Sequence, residues 1–162
     1  MSQLLGEFEC KIDSKGRLRL PIGLLGMLSE MGASKVMLNR GFEKCLNLYP
    51  KKAWDEVATR INGLNDFVKK NRDFKRYFLR GATEIDLLGN DRILLQKRLL
   101  EYAGIKKNVI LAGQGNRIEI WSEEAYNEML ENAPEDFSAI GEEVMGDTHF
   151  GGVSTSDSGG PQ

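Results

Sequence analysis

GEFECKIDSKGRLRLP, residues 6–21, recurs later in the chain as GATEIDLLGNDRILLQ, residues 81–96. Arg17 aligns with Arg92, and each copy runs on into an apolar strand pattern. The repeat continues at offsets that fall from 75 to 72, matching residues 36–38, 46–49 and 53–54 with 109–111, 118–121 and 125–126. Two copies are fewer than a solenoid usually needs, so the repeat predicts two halves packed on one pseudo-twofold core.

Each copy predicts the order strand, loop, strand, helix, hairpin, helix. Polar and apolar residues alternate over 6–12 and again over 17–20, as in half-buried strands. Residues 13–16 contain Asp, Ser and Gly, which favour turns, and Pro21 and Pro50 suit helix starts. The first half then has a hairpin over 35–49 and a helical segment over 64–79. The second half predicts strands 82–87 and 92–95, a helix over 96–103, a hairpin over 108–121 and a helix from Ser122. The fold class is α+β, with short strands of both copies wrapping into one small barrel-like core.

Length and composition indicate a soluble globular protein. The chain has 162 residues, 41% apolar and 28% charged. No apolar run approaches the roughly 18 residues of a membrane span, and the first five residues lack a signal-peptide pattern, so we expect a cytoplasmic protein and no membrane partner. Cys10 and Cys45 make no metal-type pair, and no disulfide is expected in a reducing compartment.

The charge distribution is strongly uneven along the chain. All 22 Lys and Arg lie within residues 1–117 with 13 acidic residues, a net of +9, whereas residues 118–162 carry 11 acidic residues and no Lys or Arg. The whole-chain charge of −2 conceals this asymmetry. The basic part is compatible with a nucleic-acid partner. The acidic part either keeps the protein soluble or discourages nonspecific DNA binding.

Catalytic patterns are missing from the sequence. The single histidine, His149, lies in the acidic C-terminal region, which removes histidine triads and histidine metal clusters. No phosphate-binding glycine fingerprint is present, and residues 113–116 are typical of a hairpin turn rather than a phosphate cradle. We therefore expect no enzyme activity, no cofactor, no metal site and no small-molecule substrate.

The loop of the first copy concentrates positive charge. Lys11, Lys15, Arg17 and Arg19 surround one tight hairpin, and a two-stranded ribbon of this kind can enter a DNA major groove. Arginine can address guanine O6 and N7 with two hydrogen bonds, and lysine can neutralise phosphate. Asp13, four residues before Arg17, can hold the guanidinium in a bidentate pair. On spacing alone, the favoured interpretation is that the Asp13–Arg17 pair only stabilises the turn.

Residues 6–21, Leu46-Asn47-Leu48-Tyr49-Pro50 with Trp54, and Phe78-Leu79-Arg80-Gly81-Ala82 together resemble the MraZ family of bacterial transcriptional regulators. The resemblance spans about residues 1–145 in family order. It implies two tandem SpoVT-AbrB-type domains with a D-x-x-x-R motif in each, folded as swapped-hairpin β-barrel halves flanked by helices.

It also implies a ring-shaped homo-oligomer that binds direct repeats of double-stranded DNA in the promoter of the division and cell wall gene cluster. Family members usually act as repressors and associate with the nucleoid. The implied organisation is a first SpoVT-AbrB-like domain over 6–53, a helical connector over 54–80, a second domain over 81–124, a C-terminal helix over 125–145 and a disordered tail over 146–162.

The motif of the first copy is intact, whereas that of the second has diverged. Leu88 stands where the family has Asp, Asp91 where it has Gly, and Gln96 where it has Pro. Of the D-x-x-x-R motif, the second copy therefore keeps Arg92 alone. Asp86 lies two residues too early to replace the missing Asp without a shift. We predict that the first copy makes most of the DNA contact, with Arg92 a weaker contributor. The candidate DNA-binding residues are Arg17, Lys15, Asp13, Arg19, Lys11 and Arg92.

A ring would present several weak hairpins at fixed spacing, so direct repeats about one helical turn apart would bind by avidity. The alternative is an AbrB-fold protein-interaction or antitoxin-like module without a specific DNA target, in which the basic surface meets an acidic protein. Salt dependence separates the two, because phosphate contacts give a steep dependence on salt concentration.

Overall fold

The computed structural model describes residues 3–146, and it has the predicted α+β composition. The strands are β1 Glu7–Lys11, β2 Arg17–Arg19, β3 Lys35–Arg40, β4 Leu46–Pro50, β5 Thr83–Asp86, β6 Arg92–Leu94, β7 Asn108–Gly113 and β8 Ile118–Ser122. The helices are α1 Ile22–Glu30, α2 Lys51–Asn62, α3 Lys69–Leu79, α4 Lys97–Ala103, α5 Glu123–Glu131 and α6 Phe137–Gly146. The chain divides after Glu128 into two compact units, and the first contains all eight strands.

The strand order of the main sheet reflects the sequence repeat. Six antiparallel strands follow the order β1-β7-β8-β4-β3-β5, and β2 pairs with β6 in a separate two-stranded ribbon. Phe8 of β1 pairs with Leu111 of β7. The equivalent residues in the other half of the repeat, Thr83 of β5 and Leu38 of β3, pair in the same way. The central pair, β4 with β8, joins equivalent strands of the two halves. The registers therefore place a pseudo-twofold axis at the centre of the sheet, consistent with two tandem domains.

The first two strands of each half pair with the other half, which corrects the predicted hairpin around residues 13–16. β1 is hydrogen-bonded to β7, and β2 is hydrogen-bonded to β6. Between β1 and β2 themselves, the ladder is limited to the turn and a single bridge from Ile12 to Leu18. The strands diverge beyond it because their hydrogen-bonding edges are taken by strands of the second half.

Alternation along the short strands builds the core as predicted. Leu18 and Leu20 are buried and alternate with the exposed Arg17 and Arg19, and Ile93 is buried between the exposed Arg92 and Leu94. They join the largest apolar cluster, which also contains Leu24, Leu38, Leu48, Leu99, Leu111 and Ile120. Each fully buried side chain of this size contributes about 1.5–3 kcal/mol to folding.

Helices cover the opposite face of the sheet through aromatic contacts. Trp54 of α2 stacks on Phe78 of α3 at 5.8 Å and meets Tyr49 of β4 edge-on at 5.5 Å. In the second half, Tyr126 of α5 meets Trp121 of β8 in the same edge-on manner at 6.0 Å. In each half, the aligned aromatic residues of the repeat therefore pack a helix against the sheet.

The helical segment predicted over 64–79 is shorter in the structure. α3 begins only at Lys69, because residues before it form a turn held by Asn65. The Asn65 side-chain oxygen accepts a hydrogen bond from the Phe67 backbone at 2.9 Å, and the Asn65 carbonyl accepts one from Val68 at 3.3 Å.

The single helix predicted over 125–145 is two helices. Ser122 caps α5 as expected, with its Oγ accepting a hydrogen bond from the Ala125 backbone at 3.0 Å. Pro134, which disfavours a helical residue before it, lies between the helices, and Asp136 caps α6 by accepting from Ala139 at 3.0 Å. The predicted disordered tail, 146–162, lies outside the described residues apart from its first position. Over the described residues, no helix is both long and apolar enough to cross a membrane.

Candidate nucleic-acid interface

The turn of the first copy is organised by the Asp13 carboxylate. Its Oδ1 accepts hydrogen bonds from the backbone of Lys15 and of Arg17, both at 2.9 Å, and its Oδ2 accepts one from Arg17 Nε at 2.9 Å. The Asp13 carbonyl accepts from Gly16 at 3.0 Å, which closes the turn. Gly16 then takes a φ of +82°, a conformation that glycine adopts without strain.

Arg17 is held on one side only, which differs from the predicted bidentate pair. One carboxylate oxygen of Asp13 binds Nε, while the other is used by backbone N–H groups. The two Nη groups of Arg17 make no hydrogen bond within residues 3–146. A guanidinium anchored in this way keeps both Nη groups, with four N–H donors, for another partner, and bidentate recognition of guanine requires two such donors.

The same hydrogen bonds keep the Asp13 carboxylate ionised. The pKa of Asp13 is lowered, first by the hydrogen bond from the Arg17 backbone and then by the Arg17 side chain and the Lys15 backbone, against the opposing effect of desolvation. The negative charge that orients Arg17 is therefore maintained at physiological pH.

β2 and β6 bring the two copies of the motif onto one surface. Arg17 lies opposite Leu94, and Arg19 lies opposite Arg92. The ladder extends at both ends through hydrogen bonds from Leu95 to the Gly16 carbonyl at 2.8 Å and from Leu20 to the Asp91 carbonyl at 2.7 Å. We call the exposed face formed by Arg17, Arg19, Arg92 and Leu94 the basic ribbon. Its other face, Leu18 and Ile93, is buried in the core.

In the second turn, two side chains share the role of backbone acceptor that Asp13 fills alone in the first turn. Asp86 Oδ1 accepts from the Leu88 backbone at 2.9 Å, and Asn90 Oδ1 accepts from the Arg92 backbone at 3.0 Å. Neither side chain binds the guanidinium, and Arg92 has no ion-pair partner in the part of the chain that the structure describes. Asp91, which the sequence places beside Arg92, instead faces Arg19 across the ribbon, with Oδ2 at 3.4 Å from Nε.

Lys11 and Lys15 lie beside the ribbon rather than on it. Lys15 is exposed within the turn, and Lys11 is exposed at the end of β1, opposite Asn108. The sequence analysis missed Lys106 and Lys107, which are also exposed. The Lys107 carbonyl accepts from the Ile12 backbone at 2.8 Å, so this pair joins the base of the turn. Their signal in the sequence was two adjacent lysines just before a strand.

One group of side chains has the spacing of a metal site. Ligand atoms of Glu43, Cys45 and Glu119 lie within 4.8 Å of one another. The two Glu119 oxygens already accept hydrogen bonds, from Arg117 at 3.2 Å and from the Trp121 indole at 3.0 Å. Burial raises the pKa of the Cys45 thiol to about 12, and the nearby Glu119 and Glu43 charges add to this effect. Both Glu119 oxygens are therefore hydrogen-bonded beside a thiol that stays protonated at neutral pH.

The fold and the basic ribbon define a class of protein with two tandem α+β repeats whose motif strands combine into one cationic surface. A family model described as "MraZ protein, putative antitoxin-like" matches the chain twice, over residues 3–77 and 78–147. The chain belongs to the MraZ family.

Individual relatives agree with this assignment over nearly the whole chain. A transcriptional regulator MraZ from Christiangramia forsetii is 42% identical over 155 residues, covering 95% of this chain and 100% of the relative. One from Flavobacterium psychrophilum is 40% identical, covering 92% and 96%. One from Symbiobacterium thermophilum is 38% identical, covering 86% and 99%. These relatives are named as regulators and not as enzymes, in agreement with the expectation that the chain is not an enzyme.

Proposed function

We propose that this protein is a sequence-specific DNA-binding transcriptional regulator that acts as a repressor through the basic ribbon. The observation that carries the proposal is the placement of three exposed arginines, Arg17, Arg19 and Arg92, on one face of a two-stranded antiparallel ribbon. Antiparallel ribbons fit the DNA major groove, and the relatives at 38–42% identity are named transcriptional regulators.

Each candidate residue has a role that its surroundings support. Asp13 orients Arg17, whose two Nη groups face no protein partner in the described chain and can bind guanine O6 and N7. Lys15 and Lys11 flank the turn and neutralise phosphates, as do Arg19 and Arg92 where they do not reach base edges. The first copy supplies most of the contact because it alone fixes its arginine by a carboxylate.

The finer description of the fold is part of the same proposal. The halves are AbrB-like swapped-hairpin β-barrels, and the exchange of β1, β2, β5 and β6 between halves supports this. The two domains and their connector keep the limits 6–53, 54–80 and 81–124, although the limits at residues 53 and 124 fall within α2 and α5.

The regulator assembles into a homo-oligomeric ring, acts in the cytoplasm and associates with the nucleoid. Its target is the promoter of the division and cell wall gene cluster, where direct repeats engage neighbouring subunits. A single ribbon offers few contacts, and fixed spacing within a ring would raise the affinity through avidity. The resemblance of the intact first motif to the family supports this target.

Exposed aromatic side chains on and beside α3 support self-association. Phe67, Tyr77 and Phe42 are 95%, 66% and 77% exposed, and Phe42 stacks on Phe74 of α3 with the ring centroids 6.2 Å apart. α3 beside them carries Lys69, Lys70, Arg72, Lys75 and Arg76. The acidic region after residue 117 of a second copy has the complementary charge. A Phe67→Ser variant would then sediment as a smaller species, whereas Leu5→Ser, at an apolar residue that is 55% exposed, would not.

Fluorescence anisotropy with DNA from upstream of the protein's own gene tests the function. Binding is compared with a scrambled duplex at two salt concentrations. The test variant is Arg17→Ala. The charge-matched control is Arg60→Ala, at an exposed arginine in the last turn of α2. We expect preference for the native duplex, lost in Arg17→Ala and kept in Arg60→Ala. Equal, salt-insensitive binding of both duplexes would overturn the proposal in favour of an antitoxin-like protein-interaction module.

A further inference from the structure

The basic ribbon contains one apolar side chain, Leu94. It lies directly opposite Arg17 in the β2–β6 register and is 54% exposed. A twofold axis between Leu18 and Ile93 makes Arg19 the equivalent of Leu94, so the two copies differ at this position. Leu94 is thus a half-exposed apolar side chain on an otherwise cationic, solvated face.

Because Leu94 in the second copy stands where the first copy has Arg19, the ribbon has two unlike ends. One end carries Arg17 and Leu94, and the other carries Arg19 and Arg92 with Asp91 ion-paired to Arg19. The first end therefore combines a guanidinium held by Asp13 with an apolar surface. The second end has two arginines directly opposite each other.

We propose that Leu94 is a specificity residue that contacts the C5-methyl group of a thymine neighbouring the base bound by Arg17. This inference rests on the proposed DNA-binding function of the ribbon. Side chains directly opposite in an antiparallel pair have Cβ atoms about 5 Å apart, and successive base pairs rise by about 3.4 Å. Leu94 and Arg17 therefore reach the same or adjacent base steps.

The thymine methyl is the apolar group that base edges present in the major groove. A leucine meets it by burying apolar surface on both sides, without a hydrogen bond. The unlike ends of the ribbon also make the recognised site directional, since turning the DNA around would place the arginine pair against the thymine. Sites of one ring would consequently share one orientation along the DNA.

Deoxyuridine provides the direct test, because it differs from thymidine only by lacking the methyl group. In duplexes from upstream of the protein's own gene, each thymine of either strand is replaced in turn, and affinity is measured by competition anisotropy. We expect the wild type to bind about three- to fivefold more weakly at the contacted position, the size of one buried methyl group. Leu94→Ala should bind the thymine and uracil duplexes equally.

Leu88→Ala is the matched control, an exposed leucine in the second turn that lies outside the ribbon. It should keep the wild-type discrimination, and thermal melting by circular dichroism checks that both variants fold. If the wild type ignores the methyl at every position while Arg17→Ala still loses the native duplex, the thymine contact is wrong and the DNA-binding function stands. If the wild type does not prefer the native duplex, both proposals fail together.

Discussion

Arg19 and Arg92 lie directly opposite each other on the exposed face of the β2–β6 ribbon, and each comes from a different copy of the repeat. Like charges placed opposite in a ladder destabilise it, and one ion pair, Arg19 Nε to Asp91 Oδ2 at 3.4 Å, relieves part of the repulsion. Both arginines remain solvated, so the repulsion between them is screened. A polyanion lying across the ribbon would remove it, which is why this pair belongs to the proposed DNA-binding surface.

Arg92→Ala should weaken DNA binding less than Arg17→Ala, because no carboxylate fixes the Arg92 guanidinium. Each arginine that contacts phosphate should reduce the slope of log affinity against log salt by about one when removed. Anisotropy titrations at several salt concentrations measure both effects. An Arg92→Ala loss as large as that of Arg17→Ala, in an assembly of unchanged mass, would contradict the division of labour between the copies.

Asp13 should titrate below its ordinary value of about 3.9. A lowered pKa in the folded protein means that ionised Asp13 stabilises the turn at higher pH, and that this contribution is lost as the pH falls below the ordinary value. NMR titration of the carboxyl carbon measures it. Arg17→Ala should raise the pKa of Asp13, since the guanidinium hydrogen bond is removed.

Asp73 is the internal control for that titration. Its pKa is also lowered, chiefly by the side-chain hydrogen bond from Lys69 on α3. Its titration should be the same in the wild type and in Arg17→Ala. A parallel change at both carboxyls would mean that the substitution disturbs the fold rather than the turn.

Gly16→Ala should destabilise the protein by about 1–2 kcal/mol, the cost of a left-handed conformation for a residue with a side chain. Gly16 has a φ of +82°, and an added Cβ would lie 3.0 Å from the Leu95 carbonyl oxygen. Denaturant unfolding measures the change. Gly26→Ala, within α1 and with nothing near its added Cβ, should instead be neutral or stabilise by up to about 1 kcal/mol.

Leu18→Ala should cost about 2–5 kcal/mol of unfolding free energy, because Leu18 is fully buried where the two halves meet. Leu94→Ala, on the opposite face of the same ribbon, should change it by less than about 0.5 kcal/mol. Equal effects from these two substitutions would show that the ribbon does not pack on the core as described.

Cys45 should resist alkylation in the folded protein at pH 8 to 9, since burial raises its pKa to about 12 and keeps the thiol protonated. Cys10 is only partly buried, and its pKa is raised by the same cause, so it should react slowly but first. Mass spectrometry after timed iodoacetamide treatment identifies the modified residue, and both should react in guanidinium. Rapid native modification of Cys45 would rule out its buried position.

Local chemistry made much of the molecule predictable from its sequence. Alternation of Leu18 and Leu20 with Arg17 and Arg19 predicted which side chains face the core. The Asp13–Gly16 turn followed from residues that favour turns. Helix starts after Pro21 and Pro50 were correct for the same reason, since each depends on a few neighbouring residues.

Failures occurred where distant residues compete for the same backbone. The predicted hairpin of β1 with β2 is replaced by pairing with β7 and β6. The early start predicted for α3 is prevented by the hydrogen bonds of Asn65.

The sequence by itself determined the repeat, the intact and diverged motifs, the alternation of the strands and the separation of positive from negative charge. These properties are local or additive, so they can be read along the chain. Only the tertiary structure decided that the two halves exchange strands, because strand pairing depends on which distant edge buries the most apolar surface. That exchange sets Arg92 opposite Arg19 and Leu94 opposite Arg17, and so makes one surface out of two motifs.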